Sequence, residues 1–248
     1  NKKARAASLE AILKNHSNFY AGVKSVLQEA ARLGGIVGAV SEKLSFDPHY
    51  QTALEIALGA SSQHIIVEDE GAATRAIDFL KKNRAGRATF LPLTTINARQ
   101  LPEQNQSRIE ASPGFLGIAS ELVTYEPGLD NIFQNLLGTT AIFDTIEHAR
   151  AAARQVRYQV RIVTLDGTEL RTGGSYAGGA NRNNNTIFIK PELNSLLGEM
   201  EQQSQKLKVQ EQQVESLQSQ LSEAKQALEA IKSEGEQARL TEQRVKLA

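Results

Sequence analysis

Four histidines, His16, His49, His64 and His148, are the side chains from which a metal centre or proton relay would first be built, because the chain has no cysteine to supply a thiolate. No two of them sit at metal-ligand spacing on one helix face, and no H-E-x-x-H pattern occurs. A serine nucleophile has no G-x-S-x-G elbow to expose it. The densest carboxylate run, Glu68-Asp69-Glu70, falls at a strand-to-helix junction, where negative charge complements a helix N-terminus without any catalytic duty. The sequence thus predicts no catalytic residue, no metal site and no cofactor in this chain.

Glycines and arginines offer other chemistry. Gly34-Gly35-Ile36-Val37-Gly38 follows a helical segment and lacks the spacing of a dinucleotide loop. Gly173-Gly174-Ser175-Tyr176-Ala177-Gly178-Gly179 has no lysine to reach a phosphate, so it is not a P-loop. Four glycines in seven residues after a hairpin either form a flexible surface loop or let another backbone approach closely, as in sheet-edge pairing between two copies. Arg150, Arg154 and Arg157 recur at i, i+4 and i+7, one face of a helix beginning near Thr145. From Arg150 to Lys190 seven Lys/Arg stand against Asp166 and Glu169, a local charge of +5. Such a stripe can hold phosphates by releasing counterions, or it can be a solvated helix face. Tyr158, Tyr176 and Phe188 are too sparse to support base stacking. Lys24 and Arg32 form a second basic pair.

The elements that must position these groups begin and end in heptads. Toward the C-terminus one row is Met200, Leu207, Val214, Leu221 and Leu228; the other is Leu196, Gln203, Gln210, Leu217, Ala224, Ile231, Ala238 and Val245. They alternate by four and three, the seam of a left-handed coiled coil. Leu9, His16, Val23 and Ala30 with Leu13, Tyr20 and Leu27 repeat the pattern at the N-terminus, which places His16 against a partner helix. The first arm (residues 1–33) is expected as one helix over about residues 7–33, stopped by Gly34-Gly35. The second arm (residues 191–248) opens at Lys190-Pro191. Residues 1–33 carry six Lys/Arg and two Asp/Glu, residues 191–248 seven and ten, so the arms have net charges of +4 and −3 and favour pairing with each other. About 33 residues make roughly 50 Å of helix and about 58 make roughly 87 Å, so the stretch past about Ser222 is expected to have no intramolecular partner.

Residues 34–190 read as α/β in two similar subdomains, 34–110 and 111–190. Asp47 caps a helix with Pro48 at its first position, burying Tyr50, Ala53, Leu54, Ala57 and Leu58 before Gly59. A strand over 63–67, a helix over 72–82 and a strand over 88–91 follow. Residues 94–113 are polar and poorly periodic, and read as a linker. The order then recurs: helix 129–137, Gly138, strand 140–143, helix 145–156, strand 160–165. Asp166-Gly167 marks a hairpin, and a strand over 186–189 precedes the return helix. The chain is 40% hydrophobic over 248 residues, enough for one good core or two small ones. No apolar run reaches the roughly 18 residues of a membrane span. The missing cysteines fit a reducing cytosol, and the chain is expected to be a piece of a longer coiled-coil protein.

Taken in order, Phe19-Tyr20-Ala21-Gly22-Val23-Lys24-Ser25-Val26-Leu27, Gly35-Ile36-Val37-Gly38-Ala39-Val40, residues 50–59, Gly86-Arg87-Ala88-Thr89-Phe90-Leu91-Pro92-Leu93, Val163-Thr164-Leu165-Asp166-Gly167 and the segment Gly173–Gly179 resemble the hinge domain of SMC proteins, the structural-maintenance-of-chromosomes family, of the bacterial condensin type. The resemblance implies an α/β hinge of two similar subdomains flanked by an antiparallel intramolecular coiled coil. It implies a twofold homodimer in which the first subdomain of each copy faces the second of the other, with Gly173, Gly174, Gly178 and Gly179 at the contact. It implies DNA contact near the coiled-coil junction, which makes Lys24, Arg32 and Lys190 candidates beside Arg150, Arg154 and Arg157. ATP and Mg would belong to ABC-type heads of a longer parent, where kleisin-type subunits bind, in a cytoplasmic, nucleoid-associated protein. Two rival readings are a nucleic-acid-binding module whose dimerisation is incidental, and a small α/β enzyme inserted in a coiled coil.

Overall fold

A computed structural model describes residues 2–179 and 188–246, and the chain divides into two compact units, Asn1–Asn194 and Ser195–Ala248. In chain order the elements are α1 (Lys2–Asn15), α2 (Ala21–Gln28), α3 (Ala30–Leu33), β1 (Ile36–Ala39), β2 (Leu44–Phe46), α4 (Gln51–Leu58), β3 (Ile65–Val67), α5 (Glu70–Asn83) and β4 (Phe90–Pro92). There follow α6 (Glu103–Glu110), β5 (Phe115–Ile118), β6 (Val123–Tyr125), α7 (Asp130–Leu137), β7 (Thr140–Phe143), α8 (Ile146–Gln155), β8 (Arg161–Thr164), β9 (Glu169–Leu170), β10 (Tyr176–Ala177) and α9 (Ile189–Lys246).

Two sheets share one pattern. A three-stranded sheet has the order β1-β3-β4, with β1 antiparallel and β4 parallel to β3. A five-stranded sheet has the order β10-β9-β8-β7-β5, with β5 antiparallel and β8 parallel to β7. The second sheet continues past β8 into an antiparallel hairpin, β9 and β10, whereas the first stops at β4. A further ribbon, β2 with β6, pairs Leu44 with Tyr125 and Phe46 with Val123. It joins segments from both halves, and the largest core cluster does the same: Leu54, Leu58 and Ile66 pack with Phe133, Ile142 and Val163.

Local chemistry explains most starts and stops. Asp47 accepts a hydrogen bond from the His49 amide (2.9 Å) in the short turn that leads into α4, and Asp69 accepts one from the Ala72 amide (2.8 Å) at the start of α5. The carboxylate run before α5 is therefore a cap. Residues 103–110, read from sequence as linker, form α6. Its fully buried Ile109 anchors a helix whose remaining turn is too polar to show a period.

The N-terminal arm differs from the expected single helix. His16 adopts φ +49°, and α1 ends before a five-residue break, 16–20. Phe19 turns into the core beside Val23 and Val26, and the Gln63 side chain accepts from the Tyr20 amide (2.9 Å) and donates to the Asn18 carbonyl (3.3 Å). His16 faces Glu42 at 3.7 Å and Tyr20 is 70% exposed, so neither serves a helix seam. Burial of Phe19 overrides the heptad periodicity here. Beyond the break, α2 and α3 belong to the folded domain. Arg75 on α5 donates to the carbonyls of Leu33 (2.9 Å) and Gly34 (3.2 Å), closing α3.

Only α1 is left to meet the return helix. Arg5 donates through Nε (3.0 Å) and Nη2 (2.8 Å) to Glu192, and Ala6, Leu9, Ile189 and Leu193 are buried. Along α9 the exposed large apolar side chains begin at Leu197, and Leu207, Val214, Leu217, Leu221, Leu228 and Ile231 are each more than half exposed. The strand expected over 186–189 lies largely outside the described residues, and Ile189 is already helical.

Candidate functional site

The glycine-rich segment forms the outer edge of the five-stranded sheet. The β8–β9 hairpin turns at Asp166-Gly167, where Gly167 has φ +88° and Asp166 accepts from the Thr168 amide (3.0 Å) and from the Thr164 hydroxyl. Its hydrogen bonds hold the Asp166 carboxyl below the usual carboxylate range. The chain then turns back on itself: the Arg171 amide donates to Ser175 (2.8 Å) and the Gly174 amide to Arg171 (3.0 Å). Gly173 and Gly174, at φ +87° and +95°, supply the left-handed backbone this turn requires. β10 emerges as the terminal strand, pairing Tyr176 with Leu170 and Ala177 with Glu169.

Gly178 is a different case. Its φ lies outside the left-handed region, and a Cβ there would make only ordinary contact with Thr168, at 3.4 Å. Gly179 needs its φ of +126°, but has nothing within 4 Å of an added Cβ, as does Gly173. Among the described residues nothing demands a missing side chain at Gly178.

The basic stripe and the glycine loop, separate in sequence, meet at Tyr158. The Tyr158 carbonyl accepts from the Gly173 amide (2.9 Å), and a Cβ on Gly174 would touch its ring at 3.8 Å. Its hydroxyl lies 3.4 Å from that of Tyr176, which is half-exposed on β10. The Tyr176 and Arg154 hydrogen bonds, with Arg150 nearby, hold the Tyr158 hydroxyl below the usual phenol range; that of Tyr176 is pushed up by Tyr158. Arg150 and Arg154 are exposed beside this pair. Arg157 is not on their face: α8 stops at Gln155, and Arg157 and Tyr158 take φ +53° and +57°. Lys24 is half-buried on α2 and Lys190 exposed on α9. Arg32 is engaged, with Nε 2.5 Å from Glu29 and its guanidinium 5.4 Å from the Phe79 ring centre. The six basic candidates therefore sit on several elements, and only Arg150 and Arg154 adjoin the glycine loop.

Sequence reasoning missed the support beneath this edge. Glu169, 7% exposed, accepts from Arg161 Nε (2.7 Å) and Arg171 Nε (3.1 Å). Arg161 also reaches across to α4, donating to the carbonyls of Ala57 (2.7 Å) and Ile56 (2.9 Å). The available signal was Glu169 two residues before Arg171, the spacing of one strand face, with Arg161 on the preceding strand.

The histidines do not converge. His148 pairs with Asp144 (2.8 Å), a bond that holds the Asp144 carboxyl below the usual range; His49 meets the Tyr50 ring edge-on at 5.2 Å; burial pushes the His64 imidazole down. Among the described residues no group of three or more His, Asp or Glu could hold a metal ion, and no helix is long and apolar enough to cross a membrane.

A mixed fold of paired half-sheets, an edge strand flanked by glycines and helices at both ends defines a class, and comparison with known proteins specifies it. The model of the SMC proteins flexible hinge domain matches residues 33–153. The crystal structure of an asymmetric dimer of the Geobacillus stearothermophilus SMC hinge domain is 39% identical, covers 83% of each chain and superposes with a TM-score of 0.75. The Pyrococcus furiosus SMC hinge domain is 28% identical, covering 74% of this chain and 91% of that one, with a TM-score of 0.56. The chromosome partition protein Smc of Bacillus subtilis is 41% identical over 246 residues, 98% of this chain and 21% of that protein. The chain belongs to the SMC hinge family. It spans about a fifth of the length of the curated relatives it matches, 21% and 16% of the first two.

Proposed function

We propose that this chain is the self-association hinge of a chromosome partition Smc protein, built of subdomains 34–110 and 111–190 between two arms. Two copies meet with β10 of each laid on the open β4 edge of the other's three-stranded sheet, which gives two equivalent contacts around a twofold axis. The carrying observation is Gly178: among the described residues neither its backbone nor its neighbours require glycine, and it directly follows the outermost strand of the sheet, where a second backbone approaching from outside would use the missing side chain. The sheet topology supports the same reading, since the first sheet stops where the second continues into β9 and β10. A related hinge solved as an asymmetric dimer supports self-association, and not the equivalence of the two contacts. In such a protein ATP hydrolysis with Mg and kleisin binding reside in parts outside this chain, at the nucleoid in the cytoplasm. The test is solution mass: Gly174→Glu and Gly178→Glu should each convert a dimer to monomer without loss of helix content, and a persisting tight dimer rejects the glycine edge.

A second reading concerns Arg150 and Arg154, which stand exposed beside two tyrosines on the same edge. We propose that they contact DNA phosphates at the rim of the interface. Arg150→Glu with Arg154→Glu should abolish DNA retention at unchanged mass; residual binding with an unaltered salt slope rejects the assignment.

A further inference from the structure

Two segments that carry the family resemblance, 19–27 and 86–93, lie apart in sequence and meet in the fold. Gly22, buried on α2, lies flat against the backbone of Arg87: a Cβ on Gly22 would fall 2.3 Å from the Arg87 carbonyl oxygen, 2.7 Å from its carbon and 2.8 Å from its nitrogen. Gly86, at φ +99°, closes the contact from the other side, an added Cβ standing 3.3 Å from the Gly22 nitrogen. Helix propensity argues against glycine in the first turn of α2, and backbone approach is the reason to keep it. Three residues past Arg87 the chain enters β4 at Phe90. On its other flank α2 is tied by the Tyr20 amide to Gln63, directly after the break that leads from α1.

We propose that Gly22 is a positioning residue for self-association. The contact of α2 with residues 86–87 makes the helix and β4 one body, so the helix sets where the partner-receiving strand stands, and a shift of the arm is felt at the interface. This rests on the reading of β4 as the edge that takes the partner's β10. Gly35 provides the control. It too lacks room for a side chain, at 2.7 Å from the Ala72 Cβ with φ +72°, but it lies by β1, on the opposite edge of the same sheet.

The experiment is a dilution series by sedimentation velocity on the full chain. Gly22→Ala should weaken self-association about tenfold or more with helix content unchanged, although alanine is the better helix former. Gly35→Ala should lower the melting temperature while leaving self-association within about twofold of the wild type. A folded Gly22→Ala protein that associates like the wild type overturns the proposal, as does equal weakening by Gly35→Ala. Should Gly22→Ala fail to fold, hydrogen exchange on the wild type decides: residues 21–28 and 86–92 should lose protection together on dissociation, and loss confined to 86–92 refutes the coupling. A Gly174→Glu protein that stays dimeric would overturn the edge assignment first, and the coupling with it.

Discussion

Arg161→Ala tests how the two halves of the hinge are joined. Arg161 stands on β8, yet two of its three hydrogen-bonding nitrogens donate to Ala57 and Ile56 at the end of α4, where helix carbonyls have no intrahelical donor. The third holds Glu169, which is almost fully buried and pairs with Ala177 of the edge strand. The two bonds to carbonyls contribute about 1.5 kcal/mol each, and the buried carboxylate that loses one of its two partners costs about another 1 kcal/mol because Arg171 remains. The expected loss is about 4 kcal/mol, read as a lower urea midpoint at constant slope, with a melting temperature lower by roughly 8–16 °C. Arg161→Lys keeps a charge for Glu169 but cannot fork to two carbonyls, and should lose about half as much. Adding Glu169→Gln to Arg161→Ala should recover stability, since the stranded charge is then gone. A loss below about 1 kcal/mol in Arg161→Ala, or no recovery in the double variant, would refute this account of the joint.

Two further outcomes follow from burial and exposure. Glu55 is 7% exposed, and burial, reinforced by Glu192 and opposed by the Gln51 hydrogen bond, raises its carboxyl above the usual range. An acid raised in the folded state costs nothing below its unfolded pKa and its full penalty above its folded one, so Glu55→Gln should raise the melting temperature at pH 7 and leave it unchanged near pH 4. An equal effect at both would contradict the sign. In the second unit, amides from residue 197 onward should exchange rapidly in dilute solution and gain protection only as concentration rises; protection matching Ile189–Leu193 at high dilution would refute the exposed seam.

The helices with polar caps were legible in advance. Asp47-Pro48 and Asp69 announce α4 and α5 because a side-chain acceptor and a fixed φ act within a few residues. The glycine edge was legible as composition, and the open β4 edge proposed to receive it was not, since a sheet's open edge is a property of topology. Periodicity misled at His16 and Tyr20, where the heptad pattern runs on while Phe19 leaves the helix for the core. It misled again at Arg157, whose left-handed backbone takes it off the helix face. The α6 helix escaped notice because one buried Ile109 gives no period to detect. The reach of Arg161 to the Ala57 and Ile56 carbonyls could not be read at all, because it joins groups brought together only by the packing of both halves.

The break at residues 16–20 sets the mechanics of the N-terminal strut. A straight shaft running into α2 would deliver torque about its own axis, whereas a kinked one, pinned by Phe19 and the Gln63 amide, works as a crank whose throw is the offset between α1 and α2. Twist about the α1 axis thus has no unbroken run of helical hydrogen bonds to follow into α2, and the load enters the domain through Phe19 and the Gln63 side chain instead of along a shared spiral.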